Sequence, residues 1–169
     1  MKRRVLNPVG SWAIVYRGEF AHHDIDQLLT RHPCLYFGDT PVADRYASPP
    51  SDCDTGNCTS RVYPSWIIMK RPFVNQPTDA YLEMRDVVLR LGISEAIRIA
   101  NKFAVYIQST DQWTERLNAA GDYKTIQEYL DSPEGDLTEL YFNVYFFLND
   151  FEEVDKLKAL GYDGAIHCR

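Results

Sequence analysis

From Thr78 to about Asp131 the apolar residues recur with a helical period. Tyr81, Met84, Val88 and Leu91, followed by Ile93, Ile97, Ala100, Ala104 and Ile107, keep i, i+3 and i+4 spacing. The apolar segments before Thr78 are short, aromatic and β-branched, and no internal repeat joins the two halves. Strands that come early with helices mostly later define an α+β domain; a doubly wound sheet would alternate them. Gly92, Gly121 and the turn Ser132-Pro133-Glu134-Gly135 cut the helical stretch into three or four helices.

Around that stretch, Ala13 to Tyr16 is rich in strand formers and stops at Arg17-Gly18, which predicts a first strand over about 12–17. Asp24 to Arg31 reads as a short helix, and Cys34 to Phe37 as a strand stopped by Gly38-Asp39. Thr40 and Pro41 open another short helix, with Val42, Ala43 and Tyr46 on its inward side. Ser48 to Ser60 has no large apolar residue and reads as a loop; Arg61 to Met69 reads as a strand with an edge or bulge at Pro64. Leu137 to Leu148 fits helix or strand. Phe151 to Leu160 predicts a helix closed by Gly161, and Ala165 to Cys168 a last strand.

A chain of 169 residues with 45% apolar side chains has enough core for a single domain spanning residues 1–169. Its net charge of −6 argues against holding long nucleic acid, which requires many cations to neutralise phosphates. Met1-Lys2-Arg3-Arg4 looks like the start of a secretion signal, but Asn7, Pro8, Gly10 and Arg17 interrupt the apolar stretch such a signal needs. The apolar run Val144 to Leu148 is far shorter than the ~20 residues of a membrane span, so no membrane partner is expected. Cys34, Cys53, Cys58 and Cys168 are read as thiols of a cytoplasmic protein.

Three segments carry possible chemistry. Val15-Tyr16-Arg17-Gly18 joins a cation to a glycine, where a ligand can approach the backbone closely. Leu35-Tyr36-Phe37-Gly38-Asp39 leads, ten residues after Tyr36, to Tyr46. A tyrosine at a strand end and another on the next helix can face each other across a gap one ring thick, which suits a flat, cationic ligand such as nicotinamide. Leu157 to Ile166, containing Gly161-Tyr162-Asp163-Gly164, closes the chain, its glycines read as a helix cap and a turn.

Together these segments resemble the ADP-ribosyltransferase fold, which includes poly(ADP-ribose) polymerases, diphtheria-type toxins and phage or mobile-element proteins. Arg17-Gly18 matches the family's first strand, although the branch with paired tyrosines carries His where Arg17 stands. Tyr36-Phe37-Gly38-Asp39 and Ala43-Asp44-Arg45-Tyr46-Ala47 match its tyrosine-bearing segment, Val62-Tyr63-Pro64 through Arg71-Pro72-Phe73 resembles the next strand, and the Gly-Tyr-Asp-Gly closure is frequent in phage-type members. The resemblance implies split antiparallel sheets around an NAD cleft, with a helical insertion at about 78–135. It further implies NAD as co-substrate, bound by Arg17, Gly18, Tyr36, Phe37 and Tyr46, with Tyr36 and Tyr46 enclosing the nicotinamide. The implied activity is mono-ADP-ribosyl transfer to a target macromolecule, as by a phage effector acting on a protein in the host cytoplasm. The family places a catalytic Glu soon after the closure. Ala165 to Arg169 contain no acid, so either that strand lies beyond Arg169, or the protein binds NAD without transferring from it, or another acid takes the role: Glu139, ahead of the aromatic segment Tyr141 to Leu148, and then Glu19 beside Gly18.

Other readings compete. Cys53 and Cys58 with His22, His23 and His32 lack the usual zinc-knuckle spacing, so no metal is expected. The run Asp131 to Asp155 has eight acidic residues and no Lys or Arg. It reads as a solvated face, or as a docking surface for a basic partner, which makes a non-catalytic inhibitor or binding protein of the same fold the alternative function. An RNA 2′-phosphotransferase of this fold is disfavoured by the acidic balance.

Overall fold

A computed structural model describes residues 3–4, 15–21, 33–38, 40–48, 59–75 and 80–167. It mixes helices with small open sheets, in agreement with an α+β class, and among the described residues the strands associate two by two. The chain divides into two compact units: Met1–Pro72 with Phe151–Gly164, and Phe73–Asp150 with Ala165–Arg169. The expected helix at 24–31, most of the 48–60 loop, and Cys53, Cys58, Cys168, His22, His23 and His32 lie outside the described residues.

In the first unit β1 (Arg3–Arg4) pairs antiparallel with β4 (Ile68–Met69), and β2 (Val15–Ala21) pairs antiparallel with β3 (Thr59–Ser65). β2 does not stop at Gly18, as its sequence suggested, but runs on to Ala21, with Gly18 opposite Val62. The missing side chain serves a helix instead: a Cβ on Gly18 would overlap the carbonyl oxygen of Ala43 in α1 (Thr40–Ala47). Ala43 and Ala47, one turn apart, form the buried face of α1, because only small side chains let a helix lie this close to a strand. The expected inward face of Val42, Ala43 and Tyr46 is therefore rotated, and Tyr46 is 60% exposed.

Cys34 to Phe37 forms no strand. The chain bends at Pro33 and Cys34 and makes a single bridge at Gly38, and the Tyr36 carbonyl accepts from a side chain. The expected 61–69 strand breaks at Trp66 and Ile67 into β3 and β4. α7 (Phe151–Ala159) ends as the sequence requires: Gly161 has φ +85° and its N–H donates to the Lys158 carbonyl, while Tyr162 N–H donates to Leu157. This paired arrangement satisfies two carbonyls of the last turn and favours glycine at the left-handed position.

In the second unit β5 (Pro72–Asn75) pairs with β8 (Gly164–His167), and β6 (Tyr81–Glu83) pairs antiparallel with β7 (Tyr141–Asn143). Tyr81 thus belongs to a strand, and the helical period begins at Met84. α2 (Met84–Leu91) and α3 (Ile93–Lys102) are separated at Gly92, φ +90°, and are followed by α4 (Ala104–Gln108), a π turn (Trp113–Leu117) and α5 (Ile126–Leu130). The ambiguous 137–148 segment is both helix and strand: a 3-10 turn (Leu137–Glu139), then β7, then α6 (Val144–Leu148). Leu82 pairs with Phe142 in register, both fully buried, and the Phe103 and Phe142 rings stack with centroids 4.8 Å apart. Among the described residues no helix is long and apolar enough to cross a membrane.

Candidate functional site

Strand pleating places side chains alternately on the two faces of β2. Gly18 faces α1, so Arg17 projects to the opposite face, where its register partner is Tyr63 on β3. The Arg17 guanidinium donates from Nη1 to the Tyr36 carbonyl at 3.3 Å. Two of the three chemistry-bearing segments, 19 residues apart in sequence, therefore meet at one side chain. Tyr36 and Phe37 are half-buried beside it.

Tyr63, which has no role in the sequence reading beyond its strand, contributes a buried hydroxyl without a hydrogen-bond partner among the described residues. Leaving such a group unmade costs about 1–3 kcal/mol. The signal that could have found it is cross-strand register, which one sequence does not reveal.

The close approach that Gly18 permits is made by α1, so Gly18 is a packing residue in this geometry. Tyr46 stands on the same helix, largely in solvent. Glu139 belongs to the second unit, where its carboxylate pairs with Arg116 at 2.9 Å. Glu19 lies opposite Arg61 in the β2–β3 register, and its side chain is outside the described set.

The acidic run does not lie wholly in solvent. Glu153 is only 1% exposed, with Lys156 Nζ at 3.8 Å. Its place four residues before the buried Leu157 on α7 was the available signal. Burial holds the Cys34 thiol above its ordinary pKa, against an opposing pull from Lys158.

The closing segment works as a clasp within the first unit. Asp163 accepts from the backbone N–H groups of Lys70 (2.7 Å) and Arg71 (2.9 Å), while Arg71 Nη1 donates to the Leu160 carbonyl at 2.8 Å. The Arg71 guanidinium also lies over the Tyr162 ring, 4.8 Å from its centroid. The two backbone donors hold the Asp163 carboxyl below its ordinary pKa. A depressed folded-state pKa stabilises the fold above about pH 3.9, and that contribution disappears as pH falls through the depressed value. Asp163→Asn is therefore expected to lower the melting temperature at neutral pH, with the gap to wild type closing in acid. A gap independent of pH would show that the charge does not hold the clasp.

Comparisons with family models, with curated proteins and with solved structures found no match.

Proposed function

We propose that the chain is a mono-ADP-ribosyltransferase that binds NAD through the Arg17 face of β2–β3. The observation carrying this reading is the hydrogen bond from Arg17 to the Tyr36 carbonyl, because it unites the two segments on which the family resemblance rests. A guanidinium fixed in this way is suited to holding a phosphate or ribose, and the buried Tyr63 hydroxyl supports a polar ligand group on the same face. Tyr36, beside Arg17, would stack the nicotinamide, whereas Tyr46 rides on α1, which lies against the opposite face of β2. The C1′–nicotinamide bond then breaks with its electron pair leaving on the ring nitrogen, and a nucleophile of the target attacks C1′. A carboxylate stabilises the positive charge that develops on the sugar. Glu139, ion-paired with the exposed Arg116, is poorly suited to this role.

Calorimetric titration with NAD tests the reading. Tyr36→Ala is expected to weaken binding by about 1–3 kcal/mol, as for other aromatic stacking contacts. Arg17→Lys should also bind more weakly, because an ammonium does not reproduce the planar fork. Incubation with labelled NAD and a host lysate then reads transfer as a labelled band. Wild-type protein that takes up no NAD, or equal affinity in all three proteins, would overturn the proposal.

A second reading, a binding protein without turnover, is favoured by the distribution of charge. Residues of the second unit comprise thirteen acids and seven bases and so carry the whole net charge of −6, while the first unit is neutral.

A further inference from the structure

The second unit exposes aromatic rings on one groove. Tyr106 on α4 and Phe146 on α6 stack face to face, with centroids 3.7 Å apart and planes 13° from parallel, yet remain 39% and 41% exposed. Val105, 74% exposed, stands next to Tyr106 in α4. The groove has a volume of about 360 Å³ and is completed by Lys102, Phe103, Asn149 and Asp150. Lys102 Nζ pairs with Asp150 at 3.0 Å and lies over the Phe103 ring at 5.7 Å, so a cation is already held against an aromatic ring and a carboxylate.

We propose that this groove docks an arginine-bearing segment of a partner protein. A guanidinium stacks on an exposed aromatic face and forks onto a carboxylate, and the groove offers both within one small surface. The Lys102–Asp150 pair is part-exposed, and pairs of this kind are worth about 0–1 kcal/mol, so Asp150 exchanges one cation for another at little cost. The net charge of −6 on this unit attracts basic segments and repels acidic ones. Tyrosine and arginine are also the residues on which binding energy concentrates at protein interfaces. The groove shares no residue with the Arg17 face.

The test is fluorescence anisotropy at about 0.15 M salt, where long-range charge effects are screened, with three short labelled peptides that alternate serine with arginine, lysine or glutamate. The arginine peptide is expected to bind about fivefold more tightly than the lysine peptide, and the glutamate peptide not at all. Tyr106→Ala and Asp150→Asn should each weaken the arginine peptide about fivefold. Asp122→Asn, which removes the same charge from an exposed site elsewhere in the unit, should change it by less than about twofold. If Tyr106→Ala lowers the melting temperature, Phe146→Leu removes the other ring while keeping an apolar side chain, and is read in the same way. Arginine and lysine peptides that bind equally and ignore both ring substitutions would reduce the effect to diffuse charge and overturn the proposal. So would preference for the glutamate peptide, or binding of none of the three.

Discussion

Gly18→Ala is expected to cost about 3 kcal/mol of stability, at the upper end for inserting one methyl group into a packed site. The new carbon would overlap the Ala43 oxygen and lie 2.6 Å from the Ala43 carbonyl carbon and 2.9 Å from the Ala47 nitrogen. All three are backbone atoms, so no side chain can swing aside and α1 as a whole must move off β2. Urea denaturation followed by circular dichroism reads the loss directly. The result also separates two roles for this glycine. Unchanged stability with impaired NAD binding would mean that Gly18 admits a ligand; lost stability means that it admits a helix.

Phe142→Ala should have the larger effect, about 3–5 kcal/mol, as for other fully buried aromatic residues cut back to alanine. Phe142 is fully buried, sits opposite Leu82 in the β6–β7 ladder and stacks on Phe103, so its removal opens a cavity walled by a strand and by the junction of α3 and α4. Hydrogen exchange at the amides of Leu82 and Phe103 provides a local readout. Protection at both sites that matches wild type would contradict this placement of the core.

Sequence alone reaches the elements whose signals are local. Gly161 ends α7 because only a left-handed residue completes its last turn, and Gly92 separates two helices for a related reason. The helical period from Met84 onward is likewise written in neighbouring residues. What escapes depends on partners distant in the chain. Nothing near Gly18 indicates that a helix more than twenty residues later will lie on it, so local signals end β2 too early. Cys34 to Phe37 has strand composition, yet the Tyr36 carbonyl goes to Arg17. Tyr81 fits the helical pattern of the residues after it, yet cross-strand pairing with Asn143 claims it for β6. Of the candidate site, the sequence singles out the Arg17 and Tyr36 segments separately; their hydrogen bond, the buried Tyr63 hydroxyl and the burial of Glu153 are not legible in it, because each is a property of packing.

The clasp between Asp163 and Lys70 joins residues 93 positions apart. An open chain of that length must give up considerable freedom before its ends meet, although the added cost grows only with the logarithm of length. Phe73–Asp150, which lies between them, has its own compact core. During synthesis that intervening stretch leaves the ribosome before α7 and the Gly-Tyr-Asp-Gly closure. It is therefore able to condense first and turn most of the long loop into a folded body with few remaining degrees of freedom. The clasp that joins the closing segment to Lys70 and Arg71 is then made against a core that already exists, and it is among the last contacts of the chain to form.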